Sequence, residues 1–368
     1  PQMTLPPPSS ITAGLPGAPP FVGPETIERR LGRPFGARLG ANESAFGPSP
    51  RAVEAVRAAA GDVWKYGDPE SLELRTALAA HHGVEIGNIV CGVGIDALLS
   101  TVCRAFVEAG TPVVTSHGAY PTFAYYARGA GATLHEVPYA DDREDLAALA
   151  ARAHAERARI VYVANPDNPM GTWWSGAELE RLRAELPPDT VLCLDEAYAD
   201  MAPADAIPAF DPDDDGVIRF RTFSKAHGLA GLRMGYAIGS PSMLAVLDRV
   251  RDHFGIGRLG QVAALASLQD PAHLADVIDR VADGRRRIGE IAAASGLAVI
   301  TSATNFVAVD CGRDGAYARG VVSALAERGV FIRMPGVAPL DRCVRISVGL
   351  PEALDLLAEV LPAALADA

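Results

Sequence analysis

Short apolar stretches alternate with helix-like segments from residue 51 to residue 194 of this chain. The apolar stretches, which predict buried strands, are a run ending at Cys91 and residues 113–115, 133–137, 160–164 and 191–194. The helix-like segments are 51–60, 70–82, 96–109, 121–130, 143–157 and 176–185. Because short apolar strands that alternate with helices form sheets covered on both faces, the pattern predicts an α/β fold with a mainly parallel central sheet.

The pattern changes after residue 240. Helix-like segments then cover 241–252, 259–269, 272–294, 316–328 and 351–365. Short strands are expected among them at 298–301, 305–310, 330–333 and 343–348. This mixture indicates a second, smaller α+β domain, which the chain enters through the long helix near 272–294.

The N-terminal residues 1–24 contain eight prolines and almost no charge. Proline removes backbone donors that helices and central strands need, so these residues are predicted to form an extended arm without helix. We expect three parts in the chain. They are an N-terminal arm over 1–44 that belongs to the small domain, a large domain over 45–270 and a small C-terminal domain over 271–368.

Composition and charge argue against several classes of protein. The net charge of −12 argues against a nucleic-acid partner, because binding to phosphate backbones requires a concentrated basic face. No apolar run approaches the roughly 18 residues of a membrane span, and the N-terminus lacks the pattern of a secretory signal. The five cysteines are widely spaced and form no C-x-x-C pair. This predicts reduced, buried thiols in a cytoplasmic protein, and no bound metal.

Lysine is scarce in this chain. Of the 33 Lys plus Arg residues, only Lys65 and Lys225 are lysines. A lysine amine can lose its proton and attack a carbonyl, whereas an arginine stays protonated. High-GC codon usage also depletes lysine, so scarcity alone says little. Lys225, however, lies in a Ser/Thr- and Gly-rich stretch, 221–233, that is bounded by arginines.

A glycine-rich turn follows the strand that ends at Cys91. Residues 92–97 read G-V-G-I-D-A, and free N–H groups at the start of a helix form an anion site. The segment also matches the G-x-G-x-x-A pattern of dinucleotide-binding proteins. That pattern requires an acidic residue at the end of the next strand, where residues 115–118 read T-S-H-G. A phosphate site of another kind and a plain helix-capped turn both stay open.

Three further groups lie at or beyond the ends of apolar segments. They are Asn168 in a proline-bounded turn, Asp195 directly after 191–194, and Lys225 among Thr222, Ser224 and Arg233. Each of the first two, taken alone, could be a turn or a helix cap. Ligands of open α/β sheets bind beyond the carboxyl ends of the strands, so we expect these groups to meet. One compound offers an aldehyde to the amine, a ring nitrogen to the carboxylate and a phosphate to the turn: pyridoxal 5′-phosphate.

The segment Arg221–Tyr236 resembles the lysine-containing motif of fold-type I pyridoxal-phosphate enzymes, and specifically of the histidinol-phosphate aminotransferase-like group in the class I/II aminotransferases. Residues 42–50, 65–69 and 345–349 resemble further motifs of that group, and the resemblance runs from about residue 39 to 349. It implies the fold type I architecture, pyridoxal 5′-phosphate as cofactor and transamination as the reaction.

The resemblance also implies roles for individual residues. The catalytic residues are Lys225 as Schiff-base lysine and proton shuttle, Asp195 at the ring nitrogen, and Asn168 and Tyr198 at the phenolic oxygen. The phosphate is implied to contact Gly94, Ile95, Asp96, Thr222, Ser224 and Arg233, and Phe123 takes the place of a ring-stacking tyrosine. The substrate-binding residues are Arg345, Arg333 and Asn42. Tyr66 of such enzymes reaches the phosphate in the neighbouring subunit, which implies a homodimer with shared active sites.

The chain departs from the motifs of this group at several positions. Asp167 and Met170 stand where N-P-N-N-P-T-G has Asn and Thr, and Ile95 replaces a serine hydroxyl. Arg258 lies in the segment that replaces P-F-N, where it could contact an anionic substrate or be a surface charge. These changes leave the cofactor chemistry intact and leave the substrate open.

The expected function is transfer of an amino group between a 2-oxo acid and either an amino acid or a phosphorylated amino alcohol such as histidinol phosphate. Of the two donors we slightly favour the amino acid. A decarboxylase, another lyase or an oxidase on the same fold is the first alternative. A nicotinamide-dependent dehydrogenase is more distant, because it leaves Lys225 and Asp195 without a role. A non-catalytic binding protein is the third alternative.

Overall fold

Helices and short strands alternate along the chain, as the hydrophobic pattern predicts. The computed structural model describes residues 6–17 and 22–368. The helices are α1 (Ser10–Ala13), α2 (Pro24–Leu31), α3 (Pro50–Ala59), α4 (Leu72–His82), α5 (Gly94–Phe106), α6 (Pro121–Gly129), α7 (Leu146–Glu156), α8 (Gly176–Glu185), α9 (Pro241–Asp248), α10 (Arg258–Leu268), α11 (Pro271–Ala294), α12 (Gly315–Glu327) and α13 (Pro351–Ala366). The strands are β1 (Ala37–Arg38), β2 (Ile89–Gly92), β3 (Pro112–Ser116), β4 (Thr133–Val137), β5 (Ile160–Ala164), β6 (Val191–Asp195), β7 (Val217–Thr222), β8 (Gly235–Gly239), β9 (Ala298–Val299), β10 (Phe306–Asp310), β11 (Val330–Phe331) and β12 (Cys343–Ser347).

Seven strands form the central sheet, in the order β2-β8-β7-β6-β5-β3-β4. The pairs between β7 and β4 are parallel, whereas β8 runs antiparallel to both of its neighbours, β2 and β7. β5 and β6 are buried along their whole length, as expected of strands covered on both faces. The prediction of an α/β fold with a mainly parallel sheet is confirmed.

Alternate residues of the central strands face two separate apolar cores. On β5, Ile160 and Tyr162 pack with α5 and α6 on one face, whereas Val161 and Val163 pack with α7 and α8 on the other. This alternation is the two-residue period of a pleated strand. The carboxyl ends of β5, β6 and β7 therefore meet at one edge of the sheet, between two packed layers.

The C-terminal part has its own antiparallel sheet, in the order β12-β10-β9. Helices α11, α12 and α13 supply residues to one apolar core together with Val307, Val309 and Val344 of that sheet. A short parallel pairing of β1 with β11 ties residues near the N-terminus to this part. The predicted smaller α+β unit is thus confirmed.

The prediction of a helix-free arm over residues 1–24 is wrong. Residues 10–13 form the single turn α1, because no proline falls within it and the Ser9 hydroxyl accepts a hydrogen bond from the Thr12 N–H at 3.2 Å. Pro24 begins α2, where its missing N–H has no cost since first-turn donors lack partners within a helix. Residues 1–5 and 18–21 of the predicted arm lie outside the described residues.

All five cysteines are buried as free thiols, so the expectation of reduced cysteines agrees with their placement. Within the described residues no group of three or more His, Cys, Asp or Glu side chains could hold a metal ion. In the described parts of the chain, no helix combines the length and apolar character that crossing a bilayer requires.

Candidate active site

Two adjoining cavities lie at the carboxyl edge of the central sheet. The inner cavity, of about 260 Å³, lies against the ends of β5, β6 and β7. The outer cavity, of about 610 Å³, extends from it towards α6 and the C-terminal part. Asp96, Tyr120, Asn168 and Lys225 line both cavities, so a ligand in one can contact a ligand in the other.

The Lys225 amine lies where the two cavities join. Its Nζ donates a hydrogen bond to the Asn42 carbonyl at 3.3 Å and lies 5.7 Å from the centre of the Tyr198 ring. Burial and the positive charges of Arg345 and Arg233 lower the pKa of Lys225 to about 8, with Asp96 opposing. A substantial fraction of this amine is therefore neutral, and nucleophilic, close to physiological pH.

Asp195 ends β6 and is buried at the floor of the inner cavity. Its Oδ2 accepts a hydrogen bond from the Tyr162 hydroxyl at 2.7 Å, and its Oδ1 accepts one from the Ala197 N–H at 3.0 Å. Burial raises the pKa of Asp195 to about 6, while these two donors act in the opposite direction. The carboxylate is ionised at neutral pH and is suited to a cationic N–H.

Amide and phenol groups are joined on the next side of the inner cavity. The Tyr198 hydroxyl accepts hydrogen bonds from Asn42 Nδ2 at 3.0 Å and from Asn168 Nδ2 at 3.5 Å. Burial raises the pKa of Tyr198 to about 12, so its hydroxyl keeps its proton. That proton and the Asn168 amide are available to an oxygen atom of a ligand.

The start of α5 forms a cradle for an anion with the loop after β7. No side chain caps this helix, so its first N–H groups are open to a ligand. The Arg233 guanidinium lies beside them, donating to the Ser224 hydroxyl at 3.3 Å and lying 3.7 Å from the Asp96 carboxylate. Gly94 has a φ of +75°, and a Cβ there would come within 2.7 Å of Arg233 Nη2. The cradle fits a phosphate and leaves no room for a side chain at residue 94.

Two arginines face the outer cavity from adjacent backbone segments. Arg333 and Arg345 form an antiparallel bridge, and both line the cavity. Arg345 donates to Asn168 Oδ1 and to the Gly40 carbonyl, and no carboxylate among the described residues forms a salt bridge with it. Burial lowers the pKa of both arginines. The Arg345 guanidinium, which is half-buried and forms no salt bridge with a described carboxylate, is suited to an anionic substrate.

The structure brings most of the predicted site residues together. Those that line one or both cavities are Asn42, Ile95, Asp96, Asn168, Asp195, Tyr198, Thr222, Ser224, Lys225, Arg233, Arg333 and Arg345. Gly94 lies beneath the cradle, against Arg233. These positions are consistent with the predicted roles.

Phe123 is the predicted residue that the structure places elsewhere. It is fully buried on α6 and its ring stacks on Tyr162, with ring centres 4.9 Å apart, so it lines neither cavity. The expectation of a cofactor-stacking ring at residue 123 is wrong because this side of α6 faces the apolar core. Tyr120, at the N-terminal boundary of α6, faces both cavities instead.

Tyr66 does not reach the cavities of its own chain. Its side chain is 78% exposed and packs against Phe254, with ring centres 5.1 Å apart. Arg258 donates a hydrogen bond to the Tyr66 carbonyl at 2.9 Å and lies outside both cavities too. Both residues belong to one exposed region of the surface.

Several residues of the site were not predicted from the sequence. Ser347 and Asn305 hold Asn42: the Ser347 hydroxyl donates to Asn42 Oδ1 at 2.7 Å, and Asn305 Nδ2 donates to the Asn42 carbonyl at 2.9 Å. Tyr162 contacts Asp195, and Tyr120 lines the cavities. A polar tip inside the otherwise apolar run 160–164 is the only signal that could have pointed to Tyr162.

Comparisons with known proteins agree with this geometry. The family model for aminotransferase class I and II matches residues 36–361. Histidinol-phosphate aminotransferase of Moorella thermoacetica is 35% identical over 344 residues, which cover 92% of this chain and 87% of that protein. The enzyme of the same name from Rhodospirillum centenum is 36% identical over 345 residues, with coverages of 93% and 94%. The crystal structure of histidinol-phosphate aminotransferase from Sinorhizobium meliloti in complex with pyridoxal-5′-phosphate is similar to this one, with a TM-score of 0.95, 52% identity and 97% coverage of each chain.

Proposed function

Since this chain belongs to the class I and II aminotransferase family, we propose that it transfers the amino group of histidinol phosphate to a 2-oxo acid, with pyridoxal 5′-phosphate as cofactor. The similar proteins are histidinol-phosphate aminotransferases, and we therefore propose the phosphorylated amino alcohol as the donor. The sequence alone slightly favoured an α-amino acid.

The main support for the proposal is that four kinds of group converge on the inner cavity of about 260 Å³. They are the Lys225 amine, the Asp195 carboxylate, the hydroxyl and amide of Tyr198 and Asn168, and the cradle around Arg233. Pyridoxal 5′-phosphate has an aldehyde, a ring nitrogen, a phenolic oxygen and a phosphate to match them. When bound, it supplies a ring that stabilises negative charge at the reacting carbon.

The proposed roles of the residues around the inner cavity follow from their charges and hydrogen-bonding groups. Asp195, ionised at neutral pH, holds a proton on the ring nitrogen. Tyr198 and Asn168 donate hydrogen bonds to the phenolic oxygen. Lys225 would anchor the aldehyde and, once released by the amino donor, would take a proton from the carbon that bears the amino group and deliver it to the former aldehyde carbon of the cofactor.

Arg345 and Arg333 are proposed to bind the phosphate of the substrate. Their guanidinium groups face the outer cavity, at the end where it meets Lys225 and Asn168. Anchoring an anion here fixes the substrate relative to the cofactor ring and so selects which bond at the reacting carbon is broken. We expect this anchor to favour transamination of a phosphate-bearing amine.

A donor comparison tests the substrate. The purified protein, loaded with pyridoxal 5′-phosphate, is assayed with histidinol phosphate, histidinol and phenylalanine as donors and 2-oxoglutarate as acceptor. We expect kcat/KM for histidinol phosphate to exceed that for histidinol at least about 100-fold, because charge-assisted bonds to two arginines are lost without the phosphate. Arg345→Gln should remove most of that difference, whereas Arg286→Gln, in an exposed ion pair with Glu290, should not.

Other results would contradict the proposal. Equal rates with histidinol and histidinol phosphate would exclude a phosphate site at Arg345. Release of carbon dioxide from an amino acid without formation of an oxo product would favour the decarboxylase, and consumption of oxygen would favour the oxidase.

The protein is proposed to act as a homodimer. Val63, Trp64, Tyr66 and Phe254 leave large apolar side chains exposed on one surface, which we call the aromatic patch; Trp64 is 79% exposed. Large apolar side chains that cluster at a surface are typical of interfaces. The family resemblance suggests that Tyr66 completes the phosphate cradle of the partner subunit.

The division into an arm with the small domain (1–44), a large domain (45–270) and a small domain (271–368) is also proposed. Its support is the backbone of Leu39, whose N–H donates to the Phe331 carbonyl at 2.7 Å and whose carbonyl accepts from the Ser347 N–H at 2.8 Å. These bonds link the first part of the chain to the last.

A cytoplasmic location is proposed from the cysteines. All five are buried and free, which is typical of proteins that fold in a reducing compartment. Secretion through an oxidising compartment would expose these thiols to pairing during folding.

A further inference from the structure

A tyrosine hydroxyl lies behind the carboxylate at the floor of the inner cavity. Tyr162 is in the middle of β5, and its hydroxyl donates to Asp195 Oδ2 on the neighbouring strand β6 at 2.7 Å. The two strands are parallel, and Ala164 is the register partner of Asp195. The Tyr162 side chain therefore runs along the sheet towards the carboxyl edge, where its polar tip meets Asp195.

The Tyr162 ring is held in place by its neighbours. It is fully buried, and the Phe123 ring stacks on it with centres 4.9 Å apart and planes only 6° from parallel. Ile160, Cys193 and Ala127 belong to the same apolar core. A ring packed in this way has little freedom to rotate, so its hydroxyl is a donor of fixed direction.

Asp195 thereby has both oxygens fixed. Oδ2 accepts from Tyr162 and Oδ1 accepts from the Ala197 N–H at 3.0 Å. The charged side chains whose fields act on it are Asp96 on α5 and Lys225 after β7, and Glu144, also buried, interacts with it from the segment before α7. Asp96 disfavours ionisation of Asp195, as burial does, and Asp195 in turn raises the pKa of the buried Glu144, so the donors from Tyr162 and Ala197 help to keep the Asp195 carboxylate charged.

We propose that Tyr162 is a positioning residue for the cofactor, whose hydroxyl orients the Asp195 carboxylate and keeps it ionised towards the ring nitrogen, while Phe123 braces the Tyr162 ring. The inference rests on the proposed function, because it assigns Asp195 to the ring nitrogen of pyridoxal 5′-phosphate. It gives Phe123 an indirect role in the site, through Tyr162, in place of direct contact with the cofactor.

Tyr162→Phe is the matched change, since it removes one hydroxyl and keeps the aromatic stack. Without that donor the pKa of Asp195 rises, so a larger fraction of its carboxyl group is protonated and cannot pair with a protonated ring nitrogen, and its orientation is less fixed. We expect the dissociation constant of pyridoxal 5′-phosphate, from absorbance titration of cofactor-free protein at pH 7.5, to rise about 10-fold, as for loss of a hydrogen bond to a charged group. The pH below which binding weakens should move upwards, and kcat should fall with the KM for the donor unchanged.

Two comparisons separate positioning from a general structural role. Tyr236→Phe removes the hydroxyl of another buried tyrosine, which bonds His82 at 2.9 Å, and should leave the dissociation constant unchanged. In the Asp195→Asn background, Tyr162→Phe should add less than a 2-fold effect, because its action passes through the Asp195 carboxylate. A structural role predicts the same loss in both backgrounds and no shift of the pH profile.

The outcomes distinguish this inference from the proposed function. If wild-type protein does not bind pyridoxal 5′-phosphate, the proposed function is wrong. If wild-type protein binds it and Tyr162→Phe has the same affinity, pH profile and kcat, the function stands and the positioning role of Tyr162 is overturned. Circular dichroism of each variant shows whether it is folded before the comparison is made.

Discussion

The amine of Lys225 lies at the junction of the two cavities, where the positive charges of Arg345 and Arg233 act on it. Burial removes the hydration that stabilises an ammonium ion, and Arg345 and Arg233 add repulsion, so the pKa of Lys225 falls to about 8. The exposed Lys65 instead donates to Asp62 at 2.8 Å in an ion pair at the surface. Of the two lysines, only Lys225 has surroundings that make it a nucleophile.

This difference predicts the pH dependence of cofactor attachment. Only the neutral amine attacks an aldehyde, so the rate constant for attachment of pyridoxal 5′-phosphate to cofactor-free protein should rise with pH. Half of the maximum is expected near pH 8, the pKa of Lys225, rather than near the 10.5 of an ordinary lysine. Stopped-flow absorbance from pH 6.5 to 10 measures this rate constant. A rate that still rises steeply above pH 9.5 would show that the site does not lower the pKa of this amine.

The functional groups at strand ends were predictable from the sequence, whereas the residues that hold them in place were not. Asp195, Asn168 and Lys225 stand next to apolar segments or in motifs that mark a sheet edge in the sequence. Ser347 and Asn305, in contrast, act through Asn42, more than 260 positions away along the chain. No local pattern encodes such a contact, because it exists only once the N-terminal and C-terminal segments are packed together.

Among the elements of the structure, the start of α5 determines where an anion can bind. The left-handed φ of +75° at Gly94 directs the chain into the helix and lets Arg233 approach it closely. A residue with a side chain would be strained at that φ and would displace the guanidinium. The cradle therefore depends on the shape of the turn as much as on the charge of Arg233.

Gly94→Ala should weaken binding of the cofactor's phosphate. We expect the dissociation constant of pyridoxal 5′-phosphate to rise at least about 10-fold, since the strain and the contact with Arg233 together exceed 1.4 kcal/mol. Binding of pyridoxal, which has no phosphate, should be nearly unchanged. Both constants are measured by absorbance titration.

Gly289→Ala is the control for that change. Gly289 lies within α11 and nothing is within 4 Å of a Cβ placed there. It should leave both dissociation constants unchanged and increase the free energy of unfolding by about 0.5–1 kcal/mol. If Gly94→Ala weakened pyridoxal and pyridoxal 5′-phosphate equally, the turn would not be a phosphate site.

A buried ion network joins β6 to β7 below the site. Glu196 accepts from Arg219 Nε at 2.9 Å and from Arg221 Nε at 2.6 Å, and all three side chains are largely buried. Because Glu196 directly follows Asp195, this network also fixes the end of the strand that carries the carboxylate. Removing the Glu196 charge would leave the buried Arg219 guanidinium without its carboxylate partner and Arg221 with only Asp200, 3.6 Å away.

Glu196→Gln should therefore strongly destabilise the protein. We expect the free energy of unfolding, from urea titration of the cofactor-free protein, to fall by about 3–5 kcal/mol. Glu290→Gln removes an exposed partner of Arg286 and should change it by less than about 1 kcal/mol. Equal effects of the two substitutions would mean that the buried network contributes no more than a surface ion pair.

Most helices and strands were predictable from the sequence, and there are physical reasons why β7 and β8 were not. The hydrophobic pattern does not predict β7 because Arg219 and Arg221 interrupt its apolar run, and these arginines are tolerated there through their tertiary partners Glu196 and Asp200. β8 reads as a loop because glycines bound it at 235 and 239. Its antiparallel direction depends on how the chain returns after β7, which no hydrophobic pattern records.

Considered as a whole, the molecule builds its outer cavity from distant parts of the chain. Leu15 and Pro16 from the N-terminal segment, Tyr120 from the large part and Arg333 and Val337 from the C-terminal part all line it. The proline-rich segment was predicted only as an arm, since its place beside the cavity depends on packing of α1 against α6. The affinity for the substrate should therefore depend on how these three parts of the chain pack together.

The aromatic patch predicts that two copies of the chain associate. We expect sedimentation equilibrium to give about twice the chain mass of 38.5 kDa. Trp64→Glu should shift the protein to the monomer and weaken cofactor binding, because an interface does not tolerate an unpaired charge. Val299→Glu, at an exposed apolar side chain on β9, should stay dimeric. A monomeric wild-type protein with full activity would contradict the shared active site.

Identifying the residue to which the cofactor attaches tests the proposed function. The protein is incubated with pyridoxal 5′-phosphate, reduced with borohydride to fix the attachment, digested and analysed by mass spectrometry. The chain has only two lysines, and we expect the added mass on the peptide that contains Lys225. We also expect loss of the labelling in Lys225→Arg and its retention in Lys65→Arg. Absence of label, or label that stays in Lys225→Arg, would show that Lys225 does not bind pyridoxal 5′-phosphate.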